Sequence, residues 1–461
     1  MLGHEYINYF AIGIFSAVTI MLFNLINEVQ HEPYLDEVFH IPQAQKYCSG
    51  MFYEWDPKIT TLPGLYLVSV GALTPLTALM GCDMCSLYFL RFVNVVGSIA
   101  NFYVLYCIQT KLYPSRKELN LVSTLNLATF PVLYFFTFLY YTDVLSTLLV
   151  MLMYLLHLHE RRLLSAATGL LAVVTRQTNI IWVGFVLLET VAKVLTRSAE
   201  RRGRKTAGSD DGVLHHLKFL AEAVSSAWKD SSFAALVKDL IRETVFTCAV
   251  CAGFLCFVAW NKGIVVGDKT AHQAVLHFPQ LCYFSLFSLF FGFPFLLADA
   301  GSVFSRLRTR KVQTASLLAV TLIVIHFNTH VHPYLLADNR HYTFYVWKRV
   351  YERHLLARYL LAPVYLFAVS ASLGALADGS ATVRLPFALC VVLSLVPQKL
   401  LEFRYFILPY LLLRLHVSRL SWWQLLLEFA VYSAVNAATI YMFVTRTFTW
   451  PDSDQLHRFM W

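Results

Sequence analysis

Two adjacent carboxylates, Asp36 and Glu37, stand in the stretch PYLDEVFHIPQAQKYCSGMFYEWDPKITTLPGLY, residues 33–66, just after an apolar run. Neighbouring carboxylates repel as anions, so one of them gains proton affinity unless a cation intervenes. A carboxylate of raised pKa is a stronger general base. From residue types alone, either of the two can fill that role. His40 lies four residues beyond Asp36, and one helical turn would bring both to the same face. Pro42 limits such a helix and fits better as the first residue of the next one, so that contact is conditional. The bland alternative is a hydrated acidic loop with no chemistry.

A cationic counterpart lies far along the chain. Arg340 and His341 occur in ADNRHY, with His330 and His332 nearby, Arg404 occurs in EFRYF and Arg176 in TRQTN. Arginine grips phosphate with two parallel N–H groups, and a protonated imidazole adds another donor. Each of these residues alone reads more readily as an interfacial anchor or a structural ion pair. Together, opposite a carboxylate, they fit group transfer from a phosphate leaving group. Such a group departs without needing a proton. The protein then has to activate the acceptor hydroxyl and stabilise developing charge.

The elements that must position these residues are membrane helices. The chain has 461 residues, 57% of them hydrophobic and 14% charged, against about 25% charged in soluble domains. Apolar runs fit for spanning fall at roughly 8–26, 91–109, 120–139, 143–158, 163–176, 178–196, 243–260, 276–297, 312–330, 357–376, 385–398, 405–416 and 421–444. The first run has no preceding Lys or Arg and no small-residue cleavage site, so it reads as an uncleaved helix. The formal charge of +9 does not point to nucleic acid, because Lys and Arg collect in short loops between apolar runs. Those loops are Lys111/Arg116/Lys117, Arg161/Arg162, the segment from residue 196, and residues 305–311. If the run 62–79 does not cross, all four fall on one side, which the positive-inside rule makes cytoplasmic. Asp36, YYTD, TRQTN, residues 328–354 and PQKLLEFRYF then share the other side. Two prolines and two glycines in 62–79 favour a surface or re-entrant segment. Residues 197–242 read as a solvated cytoplasmic loop, amphipathic in its later part. The tail from residue 446 falls on the same side as Asp36 by this count, and one miscounted hairpin between 385 and 416 would reverse it. Cys82 and Cys85 form a lone CxxC, weak as a metal signal, with a disulfide possible if that loop is luminal. Cys248, Cys251 and Cys256 read as packing within one helix.

At these residues the chain resembles the endoplasmic-reticulum alpha-1,2-glucosyltransferases that add the last glucose to the lipid-linked oligosaccharide. The matching stretches are YLDEVFHIPQAQKYC, WDPKITTLPGLYLVS, RQTNIIWV, HPYLLADNRHYTFYVWKR and PQKLLEFRYFILPY, spread over residues 34–410. The resemblance implies an all-α polytopic GT-C glycosyltransferase. It would have about 12–14 transmembrane helices, with membrane-parallel helices in the first luminal loop, residues 27–90. It implies an N-terminal catalytic module over 1–196, the cytoplasmic loop 197–242, and a C-terminal module over 243–461 with a luminal donor-binding loop at 328–356. The implied donor is dolichyl-phosphate-glucose with a beta-linked glucose. The implied acceptor is the diglucosylated oligosaccharide on dolichyl diphosphate, and the anomeric centre inverts. Carried over by motif, Asp36 is the expected base, with Glu37 as the alternative or as an acceptor-orienting residue. Arg340, His332, His341 and Arg404 are the expected dolichyl-phosphate clamp. His40, Trp55, Asp56, Asp143, Arg176 and Asp338 complete the substrate-binding candidates. No metal or other cofactor is implied. The bilayer is the expected surroundings, with the site facing the lumen. The rival readings are a transporter, a binding protein for other membrane proteins, and a mannosyltransferase of the same fold.

Overall fold

In hydrocarbon only a helix satisfies its own backbone, and the apolar runs fold accordingly. The computed structural model describes residues 2–203, 213–230, 232–269, 274–354, 356–376, 381–451 and 453–461. Helix α1 (Leu2–Val29) leads to α2 (Glu37–Cys48), α3 (Gly64–Met80) and α4 (Leu87–Leu112). Next come α5 (Lys117–Ala128), α6 (Pro131–Phe135), α7 (Thr142–Leu158), α8 (Arg162–Thr175) and α9 (Ile180–Glu200). Then follow α10 (Val213–Lys229), α11 (Phe233–Asn261), α12 (Pro279–Leu296), α13 (Ala300–Thr309) and α14 (Lys311–Asn328). The remainder holds α15 (Pro333–Ala337), α16 (Tyr342–Val346), α17 (Ala357–Leu360), α18 (Ala362–Ala375), α19 (Ala381–Leu395), α20 (Ile407–Leu415) and α21 (Trp422–Thr445). A small antiparallel hairpin, β1 (Thr447–Trp450) and β2 (Ser453–Arg458), follows α21.

Among the described residues, eight helices are long and apolar enough to cross a membrane, or nine if one bent pair counts as a span. The expected 12–14 is reached only by adding shorter apolar helices such as α7, α8 and α19. The bent pair is the run read as 120–139. Helix α5 ends at Ala128, and α6 restarts at Pro131 with a bend of 58°. The cause is local. A residue before proline is pushed out of the helical region, and Phe130 accordingly has φ −54° and ψ 118°. Pro131 itself suits a first helical position, where its missing N–H costs nothing.

The helix ends sort into two layers. One holds the basic loops: Arg162 pairs with Glu243, Arg197 with Glu160, Arg201 with Asp239, and Arg116 reaches the Ser418 carbonyl. The other holds Val29, Arg91, Tyr141, Arg404 and the hairpin. Between them, Gly97 lets α4 approach Val144 of α7, where an added Cβ would meet the valine side chain at 3.2 Å. A fully buried pair, Arg414–Glu428 at 2.7 Å, ties α20 to α21, and Asn126 of α5 joins it at 2.7 Å.

Helix α3, the run read as non-crossing, has both ends tied to the second layer. At its start, a Cβ on Gly64 would lie 2.6 Å from the Thr175 backbone at the end of α8. Five residues past its end, Cys85 is disulfide-bonded to Cys48 at the end of α2. Leu67, Val68, Leu76 and Leu79 on its outer side are exposed. The disulfide corrects the CxxC reading: Cys85 pairs with the distant Cys48, and Cys82 is free and exposed.

Two further expectations change. Helix α2 runs unbroken through Pro42 instead of restarting there. The Val38 carbonyl loses its intrahelical donor, but Val38 is exposed on a cavity wall, so water can supply one. The segment read as a solvated linker contains α10, whose Phe219 and Ala223 are buried against Ala199 and whose Ala227 is buried against Val194 and Leu195 of α9. The stretch 204–212 lies outside the described residues.

Replacing Cys48 with Ala should cost about 2–4 kcal/mol of stability, the usual worth of a disulfide closing a loop of this size. Thermal unfolding in detergent reads this loss. Alkylation followed by non-reducing peptide mapping should label Cys82 and leave Cys48 joined to Cys85. A linked Cys82–Cys85 peptide would overturn the pairing.

Candidate active site

The chain enters the site through a tight turn. Leu35 has φ +53°, a region that costs a non-glycine residue energy and persists only where the surroundings enforce it. The turn brings the Glu37 N–H to the Tyr34 carbonyl at 3.2 Å and leaves Asp36 as the residue that opens α2. The Asp36 carbonyl accepts from the N–H groups of Phe39 and His40, and its own N–H donates to the Tyr141 hydroxyl at 3.1 Å.

The two adjacent carboxylates therefore point opposite ways. Glu37 is fully buried and grips Arg91 of α4, itself fully buried, with contacts of 2.9 and 2.6 Å. Glu37 also accepts from the backbone N–H of Tyr34 at 2.9 Å and of Tyr140 at 2.5 Å. Its oxygens are fully used, and it is not among the residues lining the cavity. Asp36 faces the other way, into a cavity of about 1320 Å³, with 47% of its side chain exposed.

Behind Asp36 sits Arg404. Its Nη1 lies 3.3 Å from Asp36 Oδ2 and 3.8 Å from Asp143 Oδ2, and its Nη2 lies 2.9 Å from Glu402 Oε2. The rings of Phe136 and Tyr141, packed against each other, both lie near the guanidinium, at 5.5 and 5.3 Å. Asp143 is buried at the start of α7 and binds Arg176 at 2.6 Å. Two guanidiniums thus face three carboxylates, so Arg404 is already committed within the protein.

Asp36 is surrounded by protein yet open on the cavity side. Burial alone would raise its pKa, but Arg404, His40 and His341 together outweigh it and hold the carboxyl below its ordinary value. The expected rise from carboxylate repulsion does not occur: Glu37 is neutralised by Arg91, and Arg404 stands beside Asp36. His40 lies on α2 behind the cavity wall, its Nδ1 2.5 Å from the Tyr66 hydroxyl. Burial lowers its pKa more than Asp36 raises it, so the ring is neutral at pH 7.

The opposite wall carries Arg340 and His341. Arg340 forks onto Asp338 at 2.8 and 2.7 Å and lies over the Trp450 ring at 4.9 Å. His341 Nδ1 meets the Trp461 carbonyl at 2.7 Å. The structure thus gathers Asp36, Asp338, Arg340, His341 and Arg404 around one cavity, with Asp143 and Arg176 one layer behind. It does not bring His332, Trp55 or Asp56 there. His332 turns back to accept from the Tyr334 N–H. Trp55 packs edge-on against Tyr66, and Asp56 accepts from the Lys58 N–H within its own loop. Among the described residues no cluster of His, Cys, Asp or Glu is placed to hold a metal ion.

Sequence reasoning missed Arg91, Glu402 and the tail. Arg91 was visible as a charge at the edge of an apolar run, a position that demands a partner. The tail gave no such signal, yet β2 lines the cavity, and Tyr34 exchanges hydrogen bonds of 2.5 and 2.8 Å with the Arg458 backbone.

Comparison with known proteins adds to this geometry. The DIE2/ALG10 family model matches residues 30–415. The chain is 43% identical to a Mus musculus protein named "Dol-P-Glc:Glc(2)Man(9)GlcNAc(2)-PP-Dol alpha-1,2-glucosyltransferase", over 96% of each chain. A Homo sapiens protein of the same name is 42% identical over 96% of each chain, and one from Drosophila melanogaster 36% over 93%. No solved structure matches.

Replacing Arg91 with Met leaves the Glu37 charge buried and unpaired, which should cost about 3–5 kcal/mol. The double variant Arg91→Met with Glu37→Leu should recover part of that loss. Thermal unfolding in detergent distinguishes the two. A single variant as stable as the wild type would show that this pair does not hold α2 to α4.

Proposed function

The chain belongs to the DIE2/ALG10 family, and on that premise we propose that it transfers glucose from dolichyl-phosphate-glucose to the diglucosylated Glc2Man9GlcNAc2-diphosphodolichol. The new bond is the terminal alpha-1,2 linkage. The observation that carries this reading is the half-open Asp36 facing Arg340 and His341 across one cavity.

Asp36 is the general base. It takes the proton of the acceptor hydroxyl as that oxygen attacks the anomeric carbon. The bond from this carbon to the phosphate oxygen breaks, and dolichyl phosphate leaves with the electron pair. Attack opposite the leaving group turns a beta-linked donor into an alpha product. Arg340 and His341 receive the phosphate, while Asp338 orients Arg340. Arg404 keeps Asp36 ionised in the empty site. A donor phosphate that draws Arg404 toward itself loosens its hold on Asp36 and makes the carboxylate a better base when it is needed. Glu37, Asp143, Arg91 and Arg176 position these groups without touching substrate, and Glu402 on the cavity wall holds Arg404.

The fold is a GT-C glycosyltransferase, with a site assembled from both modules: Asp36 and Asp143 from 1–196, Arg340 and Arg404 from 243–461. The site faces the lumen of the endoplasmic reticulum. Two observations support that side: the basic loops lie in the opposite layer, and the Cys48–Cys85 disulfide lies in the site's own layer, as expected in an oxidising compartment.

In a transfer assay with both lipid-linked substrates, Asp36→Asn should lower kcat by about 10²–10⁴-fold, the usual worth of a general base, with little change in acceptor KM. Arg340→Gln should act mainly through donor KM. An active Asp36→Asn variant beside a folded but inactive Asp143→Asn variant would move the base to Asp143.

A further inference from the structure

Of the carboxylates around Arg404, two line the cavity. One is Asp36 and the other is Glu402. Glu402 spends a single oxygen on the guanidinium: its Oε2 lies 2.9 Å from Nη2 and 3.2 Å from Nε of Arg404. Its Oε1 has no partner among the described residues, and 19% of the side chain is exposed. Nη1 of the same guanidinium holds Asp36. The two carboxylates therefore stand side by side on one wall.

The chain fixes Glu402 firmly. Gln280 of α12 is buried and donates to the Gln398 and Leu400 carbonyls at 3.1 and 2.9 Å. Leu401 and Phe406 are buried to either side. The Glu402 backbone is extended, with φ −129° and ψ 133°, and its carbonyl accepts from the Tyr405 N–H at 3.2 Å. A contact made by this side chain thus loses little to ordering of the loop.

An ionised carboxylate oxygen only accepts hydrogen bonds. A phosphate diester brings acceptors and negative charge, so it offers Glu402 nothing. A sugar ring brings hydroxyl donors. Arg340 and His341, which receive the donor's phosphate, stand on the opposite wall. The ring that reaches Asp36 is the acceptor's, and an alpha-1,2 product means that its 2-hydroxyl attacks. On that ring the 3-hydroxyl is the neighbour of the 2-hydroxyl, and a terminal glucose carries it free.

We propose that Glu402 is an acceptor-binding residue whose Oε1 takes the hydrogen bond of the 3-hydroxyl of the acceptor's terminal glucose while Asp36 takes the proton of the 2-hydroxyl. The inference rests on the transferase reading above. Two adjacent carboxylates meeting two adjacent hydroxyls set which hydroxyl faces the base. An acceptor that fills the cavity strips water from Oε1. One that lacks the 3-hydroxyl leaves this charged oxygen unpaired, which costs more than a missing contact of shape.

The test uses the purified full chain, dolichyl-phosphate-glucose and three lipid-linked acceptors: the natural one, and analogues whose terminal glucose is 3-deoxy or 4-deoxy. Wild type should lose about 10–100-fold in kcat/KM with the 3-deoxy acceptor, the worth of a hydrogen bond to a charged group. Glu402→Ala should be slower with the natural acceptor and should use the 3-deoxy acceptor to within about twofold of it. Glu402→Gln keeps a weaker acceptor and should fall between. The 4-deoxy penalty should be the same in all of them. If Glu402 served only to hold Arg404, the 3-deoxy penalty would be equal with and without it, and that result would overturn the proposal. A wild type that uses the 3-deoxy acceptor as well as the natural one would also overturn it, and this arm needs no variant to fold. So would a penalty that Glu402→Ala abolishes for the 4-deoxy acceptor instead. These outcomes leave the transferase reading standing. Folded wild type that transfers glucose to none of the acceptors would sink that reading and this inference with it.

Discussion

A carboxylate surrounded by protein stays ionised only if a cation stands beside it. Arg404 meets that constraint here. Its guanidinium touches Asp36, Asp143 and Glu402 and lies beside the packed rings of Phe136 and Tyr141. Buried charge is costly unless paired and hydrogen-bonded, so these contacts also fix where the 396–406 loop meets α2 and α7. Asp143 passes the link on to Arg176 at the end of α8. The geometry of the site and the packing of the helix ends are therefore one network.

The pair Asp36–Glu37 shows how adjacent identical chemistry is divided. The positive φ at Leu35 and the helix starting at Glu37 turn the two side chains apart. One is consumed by Arg91, two backbone N–H groups and full burial. The other keeps nearly half its surface open. Substituting Glu37 and substituting Asp36 thus disturb different things, the seat of α2 in one case and the charged group open to the cavity in the other.

Much of this was legible in the sequence, and the rest was not for physical reasons. The spread of polar stretches anticipated that Asp36, Asp143, Arg176, Arg340 and Arg404 come together. Contact partners across hundreds of residues were not readable. Nothing in CxxC spacing says that Cys85 prefers Cys48, which lies 37 residues away. Residue type does not distinguish Asp36 from Glu37, because the difference lies in which way one turn rotates them. His332 and Asp56 sit in the right segments but spend their side chains on local turns. The tail looked like a polar end, yet Arg458 joins two helices by donating to carbonyls, an interaction with no sequence pattern.

The most direct test of the central claim is the pH dependence of kcat/KM, compared between wild type and Arg404→Gln. In the folded wild type the Asp36 pKa lies below its ordinary value, so the proposed base stays deprotonated until pH falls beneath the usual carboxylate range. Removing Arg404 leaves the effect of burial less opposed and raises that pKa, so protonation sets in at higher pH. The account predicts an acid limb that moves to higher pH in Arg404→Gln, whatever the overall loss of rate. An acid limb at the same pH in both proteins would contradict it, because Arg404 would then not control the charge on the base.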